Sequence, residues 1–447
     1  MPVTVLWFRR DLRLADNPAL LAAARRGSVV PLFVLDPSLW GRAGTPRRAF
    51  LVRCLRDLDE RVGGGLVVRA GAPAEVVPAL VSEVAAGEVH VAADFGVYGR
   101  DRDARVEAAL RVPLIRTGSP YAVAPGRLTT AAGTGFRVFS AYYRAWQTHG
   151  WREPAGDAAD VQWMTDVPST GLPPEPDLGG VTLPPAGETA ARRRFSGFAA
   201  EAVSRYAERR NTPAEDGTSR LSAYLKYGCV HPRSLLHGLG RSKGEESFRR
   251  ELAWRDFYAD VLWHRPDTLH AAVQPKMAGL RYDDDAAADE RFTAWATGRT
   301  GYPIVDAGMR QLQSEAWMHN RVRMITASFL TKDLHIDWRR GAEWFLEHLV
   351  DGDPASNHGG WQWVAGTGTD PAPYFRVFNP VTQSKTVDPD GDYIRRYVPE
   401  LRDVEGDLVH EPWRLPAGPP AGYPLPIVDH AEERAEALRR YAEVTGI

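Results

Sequence analysis

Cysteine is nearly absent: 447 residues hold only Cys54 and Cys229. So few thiols exclude a disulfide framework and a thiolate metal site, and they agree with a reducing cytoplasm as the expected location. Long apolar runs are missing as well. Nothing reaches the roughly 18–20 residues that a membrane-spanning helix needs. The start, MPVTVLWFRRDLRL, has no basic segment ahead of an apolar one, so neither a membrane span nor a secretory signal is expected. No GxGxxG follows the first strand-like run, and HExxH, GxSxG and GK[ST] are absent. These gaps argue against ordinary NAD binding, zinc hydrolysis, serine hydrolysis and P-loop chemistry. Lysine is scarce too, with five (226, 243, 276, 332, 385) among 55 basic residues. Arginine suits bidentate phosphate recognition, although a GC-rich coding sequence produces the same bias.

The composition that remains is that of a globular protein. Apolar residues make up 44% and charged residues 25%, with a net charge of −2, which excludes wholesale disorder. At roughly 100–200 residues per domain, the length suggests two or three domains. The charge is unevenly placed: residues 192–255 carry 14 Lys/Arg against seven Asp/Glu, a net of +7. That is a plausible phosphate-backbone footprint, and solvated helix faces would give a similar count. Of 14 Trp, eight (254, 263, 295, 317, 338, 344, 361, 363) fall within 110 residues. Core filling is the plain explanation; stacking or electron transfer is the sharper one.

The first 117 residues alternate strand-like runs (Val3–Phe8, Val29–Asp36, Leu66–Arg69, Val89–Asp94, Val112–Arg116) with helical stretches (Pro18–Arg25, Arg47–Arg61, Pro73–Ala86, Asp101–Arg111). This pattern predicts a doubly wound, Rossmann-like parallel sheet of five strands, with ligands beyond the carboxyl ends. Residues 151–190 hold seven prolines and five glycines and read as a connection. Strand signals then nearly vanish. Helical periodicity is clear at Ala253/Phe257/Val261, Val305/Met309/Leu312 and Val322/Ile325/Phe329. The expected division is an α/β domain at 1–130, a connection at 131–190 and an all-helical domain at 191–447.

Several strings can carry chemistry. Gly217-Thr-Ser-Arg-Leu-Ser222 precedes a helix and would cradle a pyrophosphate on unpaired amides, or simply cap the helix through Thr218 or Ser219. In Glu251-Leu-Ala-Trp254-Arg255-Asp-Phe-Tyr258, residues 251, 254, 255 and 258 share one helical face. A carboxylate, an aromatic and a guanidinium there can bind a flat, hydrogen-bonding base; a Glu251–Arg255 pair worth about 0.3–0.5 kcal/mol is the alternative. Asp351-Gly-Asp353 reads as a turn, or as a divalent-metal site if other acids converge on it, though no ligand spacing supports the metal.

Together with LWFRRDLRLADN at 6–17, GYPIVDAGMRQL, DGDPASNHGGWQW, GTDPAPYFRVFNP (all within 301–380) and GDYIRRYVPEL at 391–401, these strings resemble the photolyase/cryptochrome flavoproteins. Within that family the likeness is to the class I cyclobutane pyrimidine dimer photolyases of bacteria, over nearly the whole chain. The resemblance implies FAD, active in its reduced anionic form, in the helical domain. Tyr206, Thr218, Ser219, Arg220, Leu221, Ser222, Arg255, Arg323, Asp351, Gly352, Asp353 and Asn357 match its FAD contacts, with Asn357 facing the reactive edge of the ring system. It also implies light-driven splitting of dimers flipped out of DNA. Trp254 and Trp363 match the pocket's aromatic walls, Glu251 the carboxylate that binds the dimer, and Asn320 and Met324 further lining. Arg210, Arg321 and Gln383 match DNA contacts. (6-4) photolyases carry histidines where this chain has Asn320 and Met324, and DASH-type members tend to have Gln at the Met324 position, so the cyclobutane dimer is the expected substrate.

Trp361 and Trp338 match the proximal and middle members of the family's electron-transfer chain. The distal member is replaced by Asp285, with Tyr282 the nearest aromatic, so photoreduction is expected to be slow or rerouted through Tyr282 or another surface Trp. Arg47, Asp94, Tyr98, Arg100 and Asp101 resemble an antenna site of the 8-hydroxy-5-deazaflavin type more than one for methenyltetrahydrofolate. The expected partner is dimer-containing DNA, with no membrane, and the expected state a monomer. A cryptochrome photoreceptor and a light-independent flavoprotein are the rival readings.

Overall fold

The computed structural model describes residues 2–158, 160–369 and 375–446, so the 370–374 part of GTDPAPYFRVFNP lies outside the described residues. The chain divides into two compact units. The first comprises Met1–Gly179, Leu183–Ser204 and Ser219–Pro266; the second comprises Gly180–Thr182, Arg205–Thr218 and Asp267–Ile447.

In the first unit, β1 (Val3–Phe8), β2 (Ser28–Leu35), β3 (Val67–Ala70), β4 (Glu88–Val91) and β5 (Leu114–Arg116) form one parallel sheet in the order β3-β2-β1-β4-β5. Val5 pairs with Val30 on one side and Val89 on the other. All three are fully buried, as near-continuous apolar strands covered on both faces require. The doubly wound sheet expected from the alternation is thus present, with its order reversing between β1 and β4. Strand β4 stops at Val91, short of the periodic run, and this leaves Asp94 beyond the ladder at the carboxyl end.

Helices Pro18–Ala24, Thr45–Arg61, Pro73–Glu83 and Val97–Ala109 flank these strands in sequence. Asn17 starts the first by accepting the Leu20 amide at 3.2 Å, with Pro18 supplying a preset φ. Between helices Phe139–His149 and Gly187–Glu201, the described residues of the Pro- and Gly-rich stretch form only an isolated bridge, Val29 to Trp163. The unit ends in the long helix Lys243–His264, begun by a capping box in which Ser242 and Glu245 satisfy each other's amides. Its buried side carries Phe248, Leu252, Ala253 and Phe257.

Every regular element of the second unit, among the described residues, is helical. The expected set Val305/Met309/Leu312 falls in Pro303–Glu315, and Val322/Ile325/Phe329 runs from Asn320–Ser328 into the Phe329–Asp333 turn of π-helix; both join Trp295, Trp338, Phe345 and Trp361 in one core. Helix Pro354–Ala365 is opened by Asp353, which accepts the Ser356 amide at 3.2 Å, and closed by left-handed Gly366. No helix among the described residues is long and apolar enough to cross a membrane.

Candidate functional site

Acids and arginines gather at the carboxyl ends of the strands. Asp36, just past β2, caps the Ser38 amide at 3.0 Å and receives a short hydrogen bond from the Tyr98 hydroxyl. Burial and Asp36 both push the Tyr98 hydroxyl above its ordinary value. Arg102 bridges Asp94 at 3.0 Å and Asp103 at 2.8 Å, and Arg9 reaches Asp103 at 2.6 Å. Burial opposes ionisation of Asp94, but Arg102, Arg10 and Arg9 outweigh it and hold its carboxyl below the usual range. Asp94, Tyr98, Arg102 and Asp103, the last three within the YGRDRD string (98–103) that the resemblance singled out, are therefore assembled into one charged cluster, and the sequence reading missed its other members, Arg9 and Asp36. Arg100 lies elsewhere, over the Trp263 ring at 4.1 Å. Arg47 donates to the Arg42 carbonyl at 3.1 Å. Asp101 is 67% exposed and pairs with Arg105 one turn on at 2.9 Å.

The Ser219–Ser222 string lies ahead of helix Ser222–Tyr227. Arg220 holds a left-handed φ of 49°, and Arg194 pins the Ser219 carbonyl at 2.9 Å. Leu221 occupies the cap position and no side chain caps the helix. The Ser219 hydroxyl accepts the Leu221 amide at 3.4 Å, one position before the helix, and the cap residue itself offers no side-chain acceptor to the amides that follow. Arg255 donates to the carbonyls of Pro120 at 2.8 Å and Leu225 at 3.2 Å. It thereby ties this short helix to the long one, with its guanidinium over Tyr121 at 4.5 Å.

Trp254, half-buried on the long helix, lies flat against Phe139, with centroids 3.7 Å apart and planes within 8°. Arg250 sits over Phe139 at 5.5 Å and Tyr143 at 4.7 Å. Glu251 is one turn from Trp254 and half-buried. Phe139 went unrecognised because it lies far from Trp254 in sequence, in the stretch read as a connection.

In the second unit, Arg323 donates to Asp351 at 2.8 Å and to the Met318 carbonyl at 2.8 Å. The other Asp351 oxygen is buried without a hydrogen-bond partner, next to Gly352. Asn357 donates its amide to the Ala342 carbonyl at 2.9 Å, so its own oxygen points away from that bond. Trp361 is 3% exposed with an unpartnered indole N–H, and Trp338 is 1% exposed. Asn320 begins its helix, exposed, with Met324 one turn on at 4.0 Å from its amide. Arg321 grips Asn211 at 2.9 Å, its pKa lowered by burial and then by Arg210, whose guanidinium lies 5.5 Å over Tyr206. Trp363 is half-buried beneath Arg376 at 5.6 Å, and Gln383 is half-buried in helix Pro380–Val387. Asp285 caps helix Ala286–Ala296 through the Ala288 amide at 2.8 Å, which gives this residue a structural task where an aromatic was expected.

A parallel α/β sheet carrying a charged cluster at its carboxyl ends, followed by a helical unit with a tryptophan-rich core, defines an α/β-plus-helical protein. The matches name the family. Residues 4–159 match the model described as DNA photolyase, and residues 248–443 the FAD binding domain of DNA photolyase. A deoxyribodipyrimidine photo-lyase of Streptomyces griseus is 44% identical, covering 98% of this chain and 99% of its own. One from Halobacterium salinarum is 40% identical over 99% of both. The crystal structure of a bacterial class III photolyase from Agrobacterium tumefaciens superposes with a TM-score of 0.91 at 36% identity, covering 100% and 98% of the two chains. A Synechocystis cryptochrome gives 0.90 at 28%, covering 98% and 99%. The chain belongs to the DNA photolyase family.

Proposed function

We propose that this protein is a deoxyribodipyrimidine photo-lyase that uses blue light to split cyclobutane pyrimidine dimers in DNA. The observation that carries the reading is the full-length likeness to photo-lyases, 44% identity over 98% of the chain. The residues present fit FAD. An uncapped helix start at Ser222 suits its phosphates, while the unpartnered oxygen of Asp351 and the oriented Asn357 suit the hydrogen-bonding edge of its ring. Reduced FAD, when bound, supplies the photoexcited electron that opens the cyclobutane ring and takes it back afterwards.

The protein's own residues do the rest. Tyr206, Thr218 to Ser222, Arg255, Arg323, Asp351 to Asp353 and Asn357 would hold the cofactor. Flipping a dimer out of the duplex costs a few kcal/mol, less for a damaged pair, and each stacked base recovers about 1–3 kcal/mol. Trp254 and Trp363 supply that stacking, and Trp254 is preorganised for it by Phe139. Glu251 hydrogen-bonds the dimer; Asn320 and Met324 line its pocket. Arg210, Arg321 and Gln383 hold the strand. Trp361 and Trp338 match two members of the family's electron-transfer chain and would relay electrons when the cofactor is bound. The cluster around Asp94 and Tyr98 would take an antenna of the deazaflavin type rather than a folate, and Arg47, Arg100 and Asp101, which the family resemblance also assigns to it, are engaged with Arg42, Trp263 and Arg105 in this structure.

Illuminating dimer-containing DNA with the reduced protein tests the reading. Dimers are expected to disappear only in the light; no loss would leave the second reading, a cryptochrome-type photoreceptor, which the Synechocystis structure favours.

A further inference from the structure

Gln362 stands between Trp361 and Trp363 and is 1% exposed. Its amide is saturated. The Nε2 group donates to the carbonyls of Thr268 at 2.7 Å and Ala271 at 3.0 Å. The Oε1 atom accepts from the Val273 N–H at 2.9 Å and the Thr367 hydroxyl at 3.3 Å. The Gln362 backbone carbonyl meanwhile accepts the Gly366 and Thr367 amides, the latter at 3.0 Å. Gln274 closes the same assembly by bonding the Thr367 carbonyl at 2.9 Å and the Gly368 carbonyl at 2.8 Å. A Cβ on Gly368 would lie 2.7 Å from the Gln362 carbonyl carbon, so the turn approaches this closely only because residue 368 is glycine. One side chain thus locks the 268–273 segment, the 354–365 helix and the turn that ends it.

We propose that Gln362 is a positioning residue that sets the roll of helix Pro354–Ala365, and with it the placement of Trp363 and Trp361. The inference rests on the reading of Trp363 as a wall of the dimer pocket. At about 100° per residue, the two tryptophans leave the helix about 200° apart, with Gln362 between them. Rings about 6 Å from the axis would each travel about 1 Å for a roll of about 10°. Displacements of about 1 Å at a reacting centre can cost a hundredfold. Trp361 has packing of its own, against Phe345 at 5.0 Å and Trp295 at 6.1 Å. Trp363 is half-buried, and its placement depends more on the anchor.

The test compares FAD-loaded parent, Gln362→Met, Gln362→Glu and Trp363→Ala. Each is bound in the dark to an oligonucleotide with one thymine dimer and to the undamaged strand. Gln362→Met keeps the volume and removes every side-chain hydrogen bond. It is expected to lose about tenfold in dimer-over-undamaged preference, the scale of one stacked base, while affinity for undamaged DNA and flavin content stay unchanged. Gln362→Glu keeps the acceptor and loses both donors when ionised at pH 8; burial beside two carbonyls raises its pKa, and protonation restores a donor, so its preference should recover as pH falls. A general loss of folding would instead lower flavin content and both affinities together. If Trp363→Ala loses the preference and either folded Gln362 variant keeps it within twofold at pH 8, the inference is overturned. If Trp363→Ala itself keeps the preference, the wall assignment falls and takes the inference with it. Should Gln362→Met not fold, the pH profile of Gln362→Glu decides, and a flat profile is the overturning result.

Discussion

Asp256 offers a quantitative check on how the first unit is held together. It lies on helix Lys243–His264, 0% exposed. A single oxygen, Oδ2, accepts both the Val123 amide at 3.0 Å and the Trp146 indole N–H at 3.0 Å. The other oxygen, Oδ1, has no hydrogen-bond partner, and the nearest charge, Arg255, is 3.8 Å away. Burial pushes this carboxyl from 3.8 up to about 6, against the pull of Arg255 and the hydrogen bonds. The folded protein therefore binds the proton more tightly than the unfolded chain. The stability this provides is fully present below pH 3.8 and is lost as the pH rises through about 6.

The whole shift corresponds to about 3 kcal/mol, and roughly 1.4 kcal/mol of it lies between pH 8 and pH 5. Asp256→Asn mimics the protonated state: its carbonyl can keep both bonds at Oδ2, and its NH2 takes the place of Oδ1. An unsatisfied buried N–H costs about 1–3 kcal/mol and offsets part of the gain. At pH 8 the variant should be more stable than the parent by up to about 2 kcal/mol, and at pH 5 the difference should shift against it by about 1.4 kcal/mol. Urea unfolding at both pH values, read as midpoint shifts at constant m, measures this. Equal destabilisation at both pH values would refute the argument, because it would mean that the ionised carboxylate is not penalised by burial.

Two further outcomes follow from the second unit. A Cβ at Gly341 would lie 2.2 Å from Trp361 Cη2 and 2.6 Å from Leu330 Cδ2. Gly341→Ala should therefore cost about 1–3 kcal/mol by overpacking, and shift the near-ultraviolet circular dichroism of Trp361; an unchanged spectrum and midpoint would contradict the packing described. Photoreduction should run through Trp344 rather than Tyr282. Trp361 meets Trp295 at 6.1 Å, Phe292 bridges Trp295 to Trp344 at 5.6 and 5.9 Å, and half-buried Trp344 stacks on His348 at 4.0 Å. The Tyr282 hydroxyl is buried with no acceptor for its proton, and burial raises its pKa. Flavin reduction rates under illumination should fall severalfold in Trp344→Phe and stay near the parent's in Tyr282→Phe; the reverse order would reinstate Tyr282.

The amino-acid sequence by itself determined what is local. Near-continuous apolar runs such as Val3–Phe8 announced buried parallel strands, and apolar spacing such as Val305/Met309/Leu312 announced helices, because side-chain direction repeats every two residues or every 3.6. The strings around 217–222 and 251–258 stood out as candidate sites because each is compact in sequence, whereas the roles proposed for 351–363 came from the family resemblance. The limits of elements were less legible: β4 ends at Val91 rather than Asp94 because it pairs with only three residues of β5. Partners across long separations were not legible at all. Phe139 behind Trp254, the Thr268 and Ala271 carbonyls under Gln362, and Asp36 beneath Tyr98 are chosen by packing and by the need to satisfy buried polar groups. The two scarce cysteines make the point most simply. Composition ruled out a disulfide framework, while only the tertiary structure brings the Cys54 and Cys229 sulfurs, both buried, to 3.5 Å. Which helix faces which is a property of the packed core, and no periodicity in the chain encodes it.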